Sequence, residues 1–219
     1  MHLLVVGATG RTGRDIVAAA SAAGHSVTAF ARTADRVSWP AGVRAIAGDA
    51  LDPASVDAAL PGVDAVVVAL SMVRASDSPW APILTPLDLH SRAASVLTSA
   101  AARHGVRRYV ALSAHGVGDA APRAGWLFLA LVRWSNIGIA YANLAVAEGI
   151  VRTSGLRWTL VRPTRLATGP ATGRWTADPN LVTTSRDCIR RADVAAFLVQ
   201  TATSSDHVNE AVSLTGRPD

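Results

Sequence analysis

The chain has 219 residues, 50% hydrophobic and 17% charged, with a formal net charge of +5. That composition allows a sizeable core and excludes an intrinsically disordered chain. All 21 basic residues are arginine, so lysine Schiff bases, Gly-Lys phosphate loops and Tyr-x-x-x-Lys pairs are excluded.

The arginines are scattered, with no run of five like charges, which speaks against a nucleic-acid surface. Cys188 is the sole cysteine; it forms no intrachain disulfide and fits a reducing compartment. The first apolar run meets glycine at Gly7, leaving no room for a signal peptide. The most apolar later stretch, 126–132, is far shorter than the ~20 residues of a membrane span. These features read as a soluble, cytoplasmic protein.

Short apolar runs at 3–6, 27–30, 43–47, 65–70, 109–112 and 158–161 predict strands, with a last one near 212–214. Near-continuous apolar runs suit parallel strands covered on both faces. Between them, 12–23, 53–60, 87–104, 141–154 and 191–201 predict helices. Gly24 and Gly105 read as C-terminal caps, and Asp52-Pro53 as an N-cap with proline at the first helical position. The segments 72–86, 114–140 and 164–185 break the rhythm; the first two follow strand ends, where open α/β sheets bind ligands.

At the first strand's end the chain reads Gly7-Ala8-Thr9-Gly10-Arg11-Thr12-Gly13. Glycine is needed there because the backbone turns tightly, approaches a pyrophosphate and lets the helix pack on the strand. N–H groups at the helix start then face the phosphates. A bare Gly-x-x-Gly-x-x-Gly string is weak evidence, but this one lies between strand and helix in a βαβ unit. The second strand ends in Arg32, with Arg36 close behind, where NAD-binding chains tend to carry an acidic residue. A guanidinium suits the 2′-phosphate of NADP; a solvated surface arginine is the plainer alternative. The expected cofactor is NADP(H), with no metal.

These motifs, with Gly48-Asp49-Ala50-Leu51-Asp52, Tyr109-Val110-Ala111-Leu112-Ser113, Ser154-Gly155-Leu156-Arg157-Trp158-Thr159-Leu160-Val161-Arg162-Pro163 and Arg191-Ala192-Asp193-Val194-Ala195, resemble the atypical short-chain dehydrogenase/reductases. The likeness is to their NAD(P)H-binding group, which includes biliverdin-IXβ/flavin reductases and NmrA-like proteins. It implies one Rossmann-type domain over 1–219: an α/β, doubly wound parallel sheet with helices on both faces and a small C-terminal substrate lobe. It also implies cofactor contacts: Asp49 and Ala50 by the adenine, Ala69, Leu70 and Ser71 by the nicotinamide ribose, and Pro163 and Thr164 near the carboxamide. A turn or capping carboxylate is the alternative for Asp49.

Many relatives use Tyr-x-x-x-Lys, often followed four residues later by glutamate. Anchored on Glu148, the lysine position is Leu144 and the tyrosine position Ala140. Tyr141 is one residue off and turned by about 100° on a helix. Ser113 remains as the catalytic candidate, an orienting hydroxyl rather than an acid. His115 reads as an exposed loop histidine, and Glu148 as a buried or capping carboxylate. Trp80, Trp126 and Trp134 read as core anchors before a flat substrate wall, and 126–132 as a helix at a lid or oligomer contact.

Such a site suits hydride transfer from NADPH to a planar or conjugated small molecule of flavin, quinone, tetrapyrrole or enone type. The anion formed is delocalised and solvent can protonate it. The alternative is an NmrA-like dinucleotide sensor without turnover, and fold alone does not exclude a lyase or isomerase. The expected partner is a small-molecule substrate, neither nucleic acid nor membrane, with the chain a monomer or homodimer.

Overall fold

The computed structural model describes residues 1–216. In chain order it runs β1 (His2–Val6), α1 (Arg11–Ala22), β2 (Ser26–Ala31), β3 (Arg44–Ala47), α2 (Pro53–Ala59), β4 (Ala65–Val68), α3 (Leu89–Arg103), β5 (Arg108–Leu112), α4 (Trp126–Arg133) and α5 (Ile137–Arg152). It continues with β6 (Arg157–Pro163), β7 (Arg165–Ala167), β8 (Trp175–Asp178), β9 (Cys188–Arg190), α6 (Arg191–Thr203) and β10 (Glu210–Gly216). The punctuation behaves as its chemistry requires. Gly24 and Gly105 take positive φ after α1 and α3, and the Asp52 carboxylate accepts from Ala54 and Ser55 N–H to open α2.

Eight strands form one sheet in the order β3-β2-β1-β4-β5-β6-β10-β8. All pairs are parallel except β10 with β8. Every inner strand is covered on both faces, which explains the unbroken apolar runs. One core layer joins Ile16, Val17, Val194 and Leu198 of α1 and α6 to Leu3, Val5, Val67 and Val110. The other joins Val56, Ala93, Leu97 and Val151 of α2, α3 and α5 to Leu4, Val66, Tyr109 and Leu160. The strand order reverses between β1 and β4, and the crevice beyond their carboxyl ends is the natural ligand site of such a sheet.

Segment 164–185 carries more structure than its irregular sequence suggests. Its β7 pairs with β9, and its β8 lies along β10. These strands are three or four residues long with partners distant in sequence, so local patterning does not reveal them. Asp193, buried in the first turn of α6, fastens this segment by accepting from the Thr172 hydroxyl and from Thr172 and Gly173 N–H.

The tryptophans overturn the core-anchor expectation: Trp80, Trp126 and Trp134 are 61%, 75% and 77% exposed. Helix α4 buries Val132 and turns Phe128 and Leu129 towards Gly116, leaving Trp126 on the outer face. Among the described residues, no single helix is long and apolar enough to cross a membrane.

Candidate functional site

The loop from β1 to α1 is built by glycine. Gly7 has φ +81°, and a Cβ there would lie 2.7 Å from the Ala69 carbonyl oxygen of the neighbouring strand end. A Cβ on Gly13 would stand 2.2 Å from Gly7 O, so only glycine lets α1 begin this close to the loop. Gly10 is the N-cap of α1; no side chain caps the helix and its first turn holds no carboxylate. The N–H groups and positive dipole end of α1 are thus left for an anion from outside the chain.

This loop forms the floor of a cleft of about 470 Å³ at the strand reversal. Gly7, Thr9, Gly10, Arg11, Arg32, Asp49, Ala50, Ala69, Leu70 and Ser71 all line it. Arg32 reaches it from the end of β2 with an exposed side chain. Asp49 lines the cleft, and its carboxylate accepts from Leu51 N–H at 2.9 Å as a turn carboxylate does. The glycine cradle, the uncapped helix and the lining arginines together fit a dinucleotide.

A second cleft of about 320 Å³ adjoins the first and shares Gly10, Arg11, Ala69, Leu70 and Ser71 with it. Thr12, Ser113, Ala140, Tyr141 and Leu144 line this part. The positions that the family resemblance gives to tyrosine and lysine, Ala140 and Leu144, thus stand beside Ser113 as two apolar side chains. Tyr141 is in the same wall, and its hydroxyl has no hydrogen-bond partner among the described residues. Burial pushes the Tyr141 hydroxyl up. A lysine ammonium would push it down, so Tyr141 is a poorer acid than the tyrosine of a Tyr-Lys pair.

Ser113 is tied to a buried charge cluster. Along β5 the side chains of Tyr109 and Ala111 face the α3–α5 layer, and Ser113, two residues on, keeps that direction. Its hydroxyl donates to Glu148 Oε1 at 2.7 Å. On β6, Trp158 and Leu160 face the same layer, which brings Arg162 to Glu148 as well. Arg162 donates Nε to Glu148 Oε1 at 2.9 Å and Nη2 to Oε2. Arg162 is 1% exposed and Glu148 4%. Nη2 also reaches Asp119, which bonds Arg152. Burial works against the Arg162 charge, but hydrogen bonds and attraction from Glu148 and Asp119 win and raise its pKa.

The site holds residues that the sequence did not single out. His90, buried on α3, lines the second cleft, and burial pushes its imidazole down to about 4. Arg74 and Arg191 add two cations to that wall. One expectation is corrected. His115 is not exposed: it is buried, its Nδ1 lies 2.9 Å from Ser213 Oγ, and it lines neither cleft, because its own N–H is drawn onto Pro163 O. Pro163 and Thr164 also line neither cleft. They sit inside the sheet end, where Thr164 N–H donates to Leu214 O.

The family model described as NAD(P)H-binding matches residues 7–205, a span that takes in the lining of both clefts apart from Val6. The chain belongs to this NAD(P)H-binding family. The resemblance carried by the sequence motifs holds at that level. This NAD(P)H-binding chain is 36% identical over 118 residues to a 3-diazoavenalumate denitrifying reductase of Streptomyces sp, a match covering 52% of the chain. It spans 38% of that relative's length. In fold it is similar to the oxidoreductase ylbE of Lactococcus lactis, with a TM-score of 0.79 at 22% identity over 99% of this chain and 91% of that one. It is also similar to ChuY, an anaerobillin reductase of Escherichia coli O157:H7, with a TM-score of 0.77 at 25% identity over 100% of both chains.

Proposed function

We propose that the chain is an NADPH-dependent reductase that passes hydride to a planar or conjugated small molecule of flavin, quinone, tetrapyrrole or enone type. The observation that carries this reading is the wall of the second cleft. It joins the phosphate loop but sets apolar Leu112, Ala140, Leu144 and Leu166 around Ser113, where an acid–base pair would otherwise stand. A simple carbonyl needs a proton delivered as hydride arrives. A conjugated acceptor spreads the new charge and leaves the protein to bind and align. Two relatives named as reductases support the same reading.

When bound, NADPH supplies the hydride. The free N–H groups of α1 and the cations of Arg11, Arg74 and Arg191 would hold its pyrophosphate, and Arg32 its 2′-phosphate. Ala69, Leu70 and Ser71 would support the ribose at the join of the clefts, and the apolar wall would press a flat acceptor into place. Tyr141 keeps its proton, and solvent protonates the product anion.

The test is titration with NADPH and NADH, followed by loss of the reduced-nicotinamide absorbance with flavin, quinone, tetrapyrrole and enone acceptors. Tight NADPH binding with turnover of one acceptor is the expected result. Binding without turnover of any would favour the dinucleotide sensor, a reading that the engagement of Ser113 by Glu148 also suits. Absence of binding would remove both.

A further inference from the structure

The bond from Ser113 to Glu148 decides what Ser113 can do in the cleft. A serine hydroxyl has one proton to give and two lone pairs that accept. The proton is held by Glu148 Oε1 at 2.7 Å, in a site where serine and carboxylate are both buried. Glu148 cannot reverse this bond. Arg162 donates to both of its oxygens, so each oxygen is already engaged as an acceptor and offers Ser113 a lone pair. Ser113 still lines the second cleft, and the side it turns there carries lone pairs alone.

We infer that Ser113 meets its substrate as a hydrogen-bond acceptor, and that the substrate atom opposite it carries an N–H or O–H. Glu148 and Arg162 are positioning residues for this polarity. The inference rests on the reductase reading and narrows its substrate class to conjugated acceptors with a donor beside the reacting centre, such as lactams, imides and pyrrolic systems. Carbonyl oxygens held by Ser113 are excluded, since lone pair would face lone pair.

Glutamine at position 148 would invert the arrangement. An NH2 at the Oε1 position would donate to Ser113 and free the serine proton for the cleft, while also facing Arg162 Nε, which donates to that same oxygen in the native chain. Ser113→Ala removes the polarity and leaves the Glu148–Arg162 pair in place, so it guards against a folding failure of Glu148→Gln.

The probes are isatin, a planar dione with a lactam N–H, and N-methylisatin, which lacks it. Both are assayed by calorimetric binding to the NADP⁺-loaded protein. The native chain is expected to favour isatin by about tenfold, the scale of one buried hydrogen bond. Ser113→Ala should bring the two probes to within about threefold by weakening isatin, and Glu148→Gln should lower the preference as well. Isatin binding no better than N-methylisatin in the native chain, including no binding of either, overturns the inference. So does a preference that survives Ser113→Ala. An equal loss of NADP⁺ affinity on Ser113→Ala would give the hydrogen bond to the cofactor carboxamide and also overturn it. The reductase reading fails differently, through NADPH that binds yet is oxidised by no acceptor of the wider panel.

Discussion

Arg32 and His90 mark opposite ends of the site and obey opposite electrostatics. Arg32 is exposed at the end of β2, where its charge costs little to keep and is available to a 2′-phosphate. Arg32→Ala is expected to weaken NADPH at least tenfold, the scale of a lost charge-assisted hydrogen bond, while NADH changes little. Equal losses for both dinucleotides in a binding titration would remove the 2′-phosphate assignment. His90 is buried and stays neutral down to about pH 4. The unfolded chain takes up its proton near 6.5, so between about 6.5 and 4 the unfolded state binds more protons and stability falls as pH drops. The shift corresponds to roughly 3 kcal/mol. Urea unfolding at pH 7 and pH 4.5 should show His90→Leu losing less stability than the native chain over that interval. The burial of His115 acts in the same direction in both proteins. Identical losses would show that His90 is not the group that titrates. Arg32 was legible in the sequence because a strand end has a known place beside a dinucleotide. His90 was legible only as helical spacing, since Ala93, Ala94, Leu97 and Ala101 share its buried face, and that spacing says core without saying cleft.

At the scale of elements, the glycines of the β1–α1 loop divide their work. A Cβ on Gly13 meets backbone at 2.2 Å from Gly7 O and 2.9 Å from Ala8 Cα, so helix and loop would have to part. Gly13→Ala should cost about 1–3 kcal/mol of stability, as overpacked sites do, and weaken both dinucleotides together. A Cβ on Gly10 meets only Gly7 O, at 3.2 Å, on ordinary helix-capping backbone with φ −68°. Gly10→Ala should keep the fold, at a cost of about 1 kcal/mol, and lose dinucleotide affinity. Thermal unfolding paired with NADPH titration separates the two, and a Gly13→Ala variant of native stability would refute the packing account. This loop could be read early because its geometry depends on three neighbouring residues. The Ser113–Glu148–Arg162 cluster joins β5, α5 and β6. Strand parity alone put Ser113 with Tyr109, and Arg162 with Trp158 and Leu160, on the face that α5 covers. The cluster itself stayed hidden because its members lie 14 to 35 residues from Glu148 along the chain and meet only when β5, α5 and β6 pack.

Over the whole molecule, the two core layers on either side of the sheet explain why fold class was the most readable property. Each layer draws on a helical face and on alternate strand residues that local sequence already displays. The loops around the second cleft depend on contacts made across the chain, and there the sequence expectations for the burial of His115 and of the tryptophans failed. One such contact joins two of the irregular segments. The Trp80 indole N–H donates to Trp134 O at 2.9 Å, Asn136 N–H donates to Pro79 O at 3.0 Å, and the Asn136 amide donates to the carbonyls of Trp80 and Ala81. Stretches more than fifty residues apart are stitched by four bonds that use main-chain atoms, so neither can lift away without unfastening the other. The rim they form is therefore expected to act as one plate rather than two loose flaps, its amides trading hydrogen for deuterium on a shared clock.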